Sequence, residues 1–201
     1  MIQSIFPNYF YSVITPPNKE ELITTFINAE VNQKETKELI WPNACEIKVE
    51  SLYHRTHYKG VGSVLAQTLR IFFLEMGVME GDKDFDNMRL LSIWRNTYNK
   101  GYYQEIHDHL GPEGADLSGV VFLNDHVEGA SEFYFYDKHY SELSASWRRL
   151  LQKVKSPNSN KLKICNPKAG DVLLFPSYIP HGVTMHEINQ PRTTISFNIA
   201  F

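Results

Sequence analysis

Arg89-Leu90-Leu91-Ser92-Ile93-Trp94-Arg95 is the stretch at which the chain changes period. Before it, apolar residues recur at helical spacing; from it onward they alternate. In a strand, Leu91, Ile93 and Arg95 face one way and Leu90, Ser92 and Trp94 the other, because successive side chains point to opposite faces. Further strand candidates are Tyr102–His107, Ser118–Asn124, Ser131–Tyr136, Lys161–Cys165, Asp171–Phe175, His181–His186 and Thr193–Phe201. Gly, Pro, Asn and Asp separate them, and many short strands with such breaks predict a sandwich or barrel.

Upstream the reading is helical. Asn18 with Glu21 three residues on marks a helix start, and Leu22, Ile23, Phe26 and Ile27 supply its apolar face. Val61, Val64, Leu65, Leu69, Phe72, Phe73 and Met76 follow helical spacing over residues 61–77, with Gly77 or Gly81 available to end the helix. Both helices are expected to pack against the sheet. The chain is thus read as one domain, 1–201, mainly β with flanking helices: mostly helical support over 1–88 and a β core over 89–201. An insertion near 138–160 carries Tyr140, Leu143, Trp147, Leu150, Leu151 and Val154 on one helical stripe; it is either a lid over a site or a peripheral helix.

At 201 residues the chain can bury a sizeable single core. A net charge of −3 gives no electrostatic reason to bind nucleic acid or an anionic membrane. No apolar run reaches the roughly 18–20 residues of a spanning helix, and the N-terminus lacks the pattern of a secretory signal. Cys45 and Cys165 form no CxxC motif and are expected to be reduced and packed. These features predict a soluble cytoplasmic protein; its oligomeric state is open, with a homodimer as the expectation.

His107 and His109 project to one face of a strand and can reach one metal ion, while Asp108 points away unless the strand bulges. Much later, Pro176 and Pro180 break an apolar strand just before His181, a third candidate ligand. Three ligands would leave about three positions open, the kind of site that suits Fe(II) and oxygen better than structural zinc. Arg192 and Thr194 share a strand face toward the same cavity, where Arg192 would pair with a carboxylate. His54 and His57 lack a third ligand at useful spacing, and His126, His139 and His186 are expected to be solvated or capping. No P-loop, GxSxG or GxGxxG arrangement supports phosphoryl transfer, acyl transfer or dinucleotide chemistry.

Leu117-Ser118-Gly119-Val120-Val121-Phe122-Leu123-Asn124-Asp125, Glu128-Gly129 leading to Glu132–Asp137, and the ending Arg192-Thr193-Thr194-Ile195-Ser196-Phe197-Asn198 are ordered as in a known family. With His107, His109 and the opening Ile2–Pro7, they make the chain resemble the Fe(II)- and 2-oxoglutarate-dependent dioxygenases of the prolyl-hydroxylase-like group, specifically a branch with a His-x-His motif. The resemblance covers roughly residues 89–201 and implies a double-stranded β-helix, a cupin-like jelly roll. It implies Fe(II) held by His107, His109 and His181, and 2-oxoglutarate gripped by Arg192 with Thr194, Ser118 and Tyr98 nearby. It further implies O2 as a reactant, decarboxylation to succinate, and hydroxylation of a C–H bond in a small molecule or protein side chain.

Two departures from the family pattern stand out. Most relatives carry Asp or Glu where this chain has His109, so either His109 is the third ligand or Asp108 bends in to restore a carboxylate. Many relatives place a tyrosine at Phe122, which here cannot donate a hydrogen bond toward the Arg192 end of the pocket. A non-catalytic, cupin-like metal- or small-molecule-binding module of the same fold is the competing reading.

Overall fold

The computed structural model describes residues 10–28, 37–40, 46–50, 61–78, 81, 88–110, 114–139, 144–146, 161–164 and 166–201. Eleven strands and two helices occur among them. They run β1 (Ser12–Ile14), α1 (Lys19–Asn28), β2 (Lys37–Ile40), β3 (Glu46–Glu50), α2 (Val61–Glu75), β4 (Arg89–Tyr98) and β5 (Gln104–His107). There follow β6 (Leu117–Phe122), β7 (Phe133–Tyr136), β8 (Lys161–Lys163), β9 (Val172–Pro176), β10 (His181–Val183) and β11 (Arg192–Ala200). The larger sheet has the order β1-β9-β6-β11-β4-β3-β2 and the smaller β5-β10-β7-β8. Two packed antiparallel sheets bear out the sandwich predicted from the strand pattern, and they form the jelly roll that the family resemblance implied.

Each face of the larger sheet has its own core. On one face, Ile93, Val121, Leu174, Ile195, Phe197 and Ile199 pack with Leu22 and Phe26 of α1 and Val64, Leu65, Leu69 and Phe72 of α2. On the other, Tyr98, Val120, Phe122, Leu173 and Phe175 meet Phe133 and Phe135 of β7 and Val183 of β10, so this second core fills the space between the sheets. Removing such apolar surface from water is the main force holding the two layers together.

The helices begin and end for local reasons. Asn18 stands just before α1, but its Oδ1 makes no capping bond; its Nδ2 instead donates to the Val64 carbonyl at 3.3 Å and ties the two helices together. Gly77, at φ 83°, closes α2: its amide bonds the Leu74 carbonyl and the Val78 amide bonds the Phe73 carbonyl, a Schellman stop that satisfies the last carbonyls. Among the described residues no helix is long and apolar enough to cross a membrane.

Three strands lie in the part read as mostly helical. β1 pairs with β9, and the β2–β3 hairpin extends the sheet beyond β4. β1 is only three residues long, too short for a period to register. Glu46-Ile47-Lys48-Val49-Glu50, by contrast, alternates cleanly and was readable. Leu90 also differs from expectation. A bulge where β11 pairs with β4 skips Leu91, and Leu90 packs on the helix-side core instead of sharing the face of Ser92. Residues 140–143 and 147–160 of the expected insertion, which include every residue of its apolar stripe, lie outside the described residues, as do His54, His57, Cys45 and Cys165.

Gly119 of β6 lies directly opposite Phe197 of β11, and the Phe197 ring crosses the space a side chain would need. A methyl group added there would sit 2.1 Å from Phe197 Cζ, and the ring is fully buried. Gly119→Ala is expected to cost about 1–3 kcal/mol through overpacking, read as a lower urea midpoint at unchanged slope.

Candidate metal centre

β5 and β10 are neighbours in the smaller sheet, and their register sets His107 directly opposite His181. Just past the end of β5, the His109 amide donates to the Ser177 carbonyl at 2.9 Å, pinning that residue to the chain leaving β9. The three imidazole centroids lie 5.3 Å, 4.3 Å and 4.9 Å apart. One ligand nitrogen from each ring falls within 4.8 Å of the others. Asp108 is exposed, and its Oδ1 accepts the Leu110 amide hydrogen at 3.1 Å. Of the two candidates for the third position, the histidine points inward and the carboxylate outward.

The far end of each ring aims it. Nδ1 of His107 lies 2.8 Å from the Glu105 carbonyl and Nδ1 of His181 2.9 Å from the Ile179 carbonyl. Nδ1 of His109 lies 2.8 Å from Asn198 Oδ1. Each of these oxygens only accepts, so each Nδ1 carries the hydrogen and each Nε2 the lone pair. Phe133 stacks on His181 at 5.2 Å and Phe175 meets its edge at 4.8 Å, which fixes that ring further.

Burial keeps the rings neutral. Desolvation lowers His107 below its ordinary 6.5, against opposition from the Glu105 carbonyl and from the charges of Glu105 and Asp108. Desolvation and then the neighbouring His107 push His109 down to about 4, and His181 lies well below 6.5 for the same reasons with His109 added. Neutral imidazole is the ligating form. Three neutral nitrogen donors with lone pairs turned to one point therefore fit a divalent first-row metal ion, with no carboxylate in the set.

The opposite wall of the pocket, about 330 Å³ including its open mouth, comes from the larger sheet and includes Arg192, Thr194 and Ser196 of β11. Arg192 is 6% exposed, with its guanidinium 5.4 Å from the Tyr98 ring centroid and 5.3 Å from that of Phe122. Its Nη1 reaches Ser131 Oγ at 3.5 Å. Among the described residues no carboxylate pairs with it. Desolvation lowers its pKa, and the nearby Tyr98 opposes that shift. A buried guanidinium without an ion pair carries a desolvation cost that a carboxylate at hydrogen-bond distance would offset.

The residues singled out from sequence divide into two groups. His107, His109, His181, Arg192, Thr194 and Tyr98 line one pocket. Tyr98 contributes its ring there, since its hydroxyl donates to Gln104 Oε1 at 2.9 Å. Ser118, expected along the co-substrate wall, sits behind His109, with its Oγ 2.8 Å from that ring's Nδ1. His186, expected to be solvated or capping, is fully buried; its Nδ1 accepts from the Ser131 amide and its Nε2 donates to the Gln190 carbonyl. Sequence reasoning assigned no role to Asn198, Ser177 or Gln104. The polar alternation Arg192, Thr194, Ser196, Asn198 was a signal for the first; the other two lack one.

A family model described as "Putative 2OG-Fe(II) oxygenase" matches residues 92–198, more than half of the chain. The chain belongs to this 2OG-Fe(II) oxygenase family. The cofactors expected from the sequence, Fe(II) and 2-oxoglutarate, are the ones in the family's name. No curated protein is detectably similar in sequence. Among solved structures, an oxidoreductase of the 2OG-Fe(II) oxygenase family from Burkholderia pseudomallei superposes with TM-score 0.61 at 12% identity, over 94% of this chain and 84% of that one. A Pseudomonas putida prolyl-4-hydroxylase gives 0.58 at 12% identity, over 94% and 91%. HygX from Streptomyces hygroscopicus, solved with nickel and 2-oxoglutarate bound, gives 0.57 at 15%, over 98% and 84%. At these identities the likeness speaks for the fold of this oxygenase.

The buried imidazoles predict a pH dependence for the metal-free protein. An unfolded histidine takes up its proton near 6.5, whereas folded His109 stays neutral down to about 4. In that window the unfolded state binds more protons, so stability is full above 6.5 and declines as pH falls toward about 4. Urea midpoints are expected to drop between about pH 7 and about pH 5, and to drop less in His109→Gln. Equal declines in both proteins would contradict the assignment.

Proposed function

We propose that this chain hydroxylates a C–H bond of a separate substrate, using Fe(II) held by His107, His109 and His181 and 2-oxoglutarate anchored by Arg192, with succinate as co-product. One observation carries this reading: a buried guanidinium with no ion-pair partner among the described residues faces, across a single pocket, three imidazoles whose lone pairs converge. When bound, the metal and 2-oxoglutarate supply oxygen activation and oxidative decarboxylation.

The chain's own residues orient and enclose. Tyr98 and Phe122 flank the guanidinium and fix its plane, so its fork presents two parallel donors to the far carboxylate of 2-oxoglutarate. Thr194, two residues along the same strand face, offers a hydroxyl to that carboxylate in place of the tyrosine many relatives carry at Phe122. Three neutral histidines would leave the charge of a held metal ion undiminished, and with Arg192 across the pocket they would favour a dianionic co-substrate. Phe133, Val120 and Val183 line the remaining wall and exclude water.

The decisive experiment measures 2-oxoglutarate affinity and succinate formation in Arg192→Ala. Co-substrate affinity is expected to fall about 30-fold or more, while Fe(II) binding changes little. Unchanged 2-oxoglutarate affinity would sink the reading. His181→Ala is expected to lose metal binding and succinate formation together. Iron-loaded wild type that makes no succinate under O2 would point instead to a metal-binding module of the same fold.

A further inference from the structure

The geometry points to Asn198, backed by Ser118, as the positioning residue that makes a histidine usable as the third metal ligand. The inference rests on the metal-centre reading above and concerns what holds His109 in register. Asn198 of β11 and Ser118 of β6 are cross-strand partners, so strand pairing delivers both side chains to the same spot behind the ring. Ser118 Oγ donates to Asn198 Oδ1 at 2.8 Å, and Ser177 Oγ lies 2.8 Å from Ser118 Oγ. His109 Nδ1 is 2.8 Å from both Asn198 Oδ1 and Ser118 Oγ.

The hydrogens of this cluster can be assigned in one consistent way. Asn198 Oδ1 has none to give, so it accepts from Ser118 and from the ring. Ser118 has spent its only hydrogen on Asn198 and therefore accepts from Ser177 and shares the ring hydrogen. His109 must then carry its hydrogen on Nδ1, which leaves Nε2 as the donor atom toward the metal. Were the Asn198 amide nitrogen turned to the ring instead, Nδ1 would accept, and Nε2 would aim a hydrogen at the two neighbouring lone pairs. Ser118 and Ser177 are fully buried behind the half-buried His109 and Asn198, so the serine side of the cluster is closed to solvent.

The cluster is also selective for side-chain type. An ionised aspartate at 109 has no hydrogen to offer Asn198 Oδ1 and Ser118 Oγ as they stand, so both the Asn198 amide and the Ser118 hydroxyl would have to turn to accommodate it. The identity of the third ligand is therefore written at positions 198 and 118 as well as at 109.

The test is an anaerobic Co(II) titration of the full chain without 2-oxoglutarate, together with imidazole 15N NMR of the metal-free protein. Asn198→Leu is expected to weaken Co(II) binding about 10–100-fold and to abolish the Nδ1–H preference of His109. Asn198→Asp, which keeps an acceptor at the same place and adds negative charge, is expected to bind Co(II) at least as tightly as wild type and to keep that tautomer. Co(II) affinity in Asn198→Leu within about twofold of wild type would overturn the inference. So would equal weakening in Asn198→Asp, the sign that a nitrogen faces the ring. If Asn198→Leu does not fold, the Asp variant decides alone. Failure of wild type to bind Co(II) would count against the metal-centre reading, while the NMR tautomer would still judge the role of Asn198.

Discussion

β11 lies between β4 and β6 and presents two unlike faces along nine residues. Ile195, Phe197 and Ile199 enter the helix-side core, while Arg192, Thr194, Ser196 and Asn198 point toward the smaller sheet. Because strand side chains alternate strictly, neither face can move without the other. A slip of one residue would bury the guanidinium among the helices and turn Phe197 into the pocket. The apolar packing against α1 and α2 therefore holds the polar face in register, and the site inherits its precision from the core.

That polar face serves two jobs at its two ends. Near β11's start, Arg192 and Thr194 reach the pocket, with the guanidinium beside the rings of Tyr98 and Phe122. Near its end, Asn198 supports the ring of His109. Between them stands Ser196, whose Oγ accepts from Asn96 Nδ2 at 2.8 Å. The metal-binding rings and the anion receptor thus come from opposite sheets but are spaced by one strand. The pocket as a whole is short of negative charge: three neutral imidazoles face one guanidinium. On the function proposed above, a small anion that also coordinates metal would supply the negative charge that the three imidazoles do not.

The strand-rich half was legible from short apolar or alternating runs separated by Gly, Pro, Asn and Asp. β4 and β11 alternate, whereas β6 and β9 are apolar on both faces and buried throughout. Beyond strand ends by a few residues, only the face of Leu90 differs from expectation. Both helices were legible from their apolar stripes, but not the use of Asn18, whose amide reaches α2 across 46 positions of sequence. Of the three N-terminal strands, β1 and β3 were missed for different reasons. β1 is too short to show a period, and the alternation of β3 sits in a region whose neighbours are helical. His186 was misjudged because nothing local distinguishes a polar residue in a loop from one whose two ring nitrogens meet the Ser131 amide and the Gln190 carbonyl.

The sequence by itself determined which side chains were candidates, His107, His109, His181 and Arg192, and that many short strands would carry them, because residue type and strand period are local properties; the jelly roll came from resemblance to a family. Whether His109 or Asp108 turns inward was undecided at that level. Tertiary structure decided it, through acceptors contributed by β6, nine residues on, and by β11 and the chain beyond β9, which are remote in sequence from residue 109. The orientation of a ring depends on what stands behind it, and that is settled only when the sheets close.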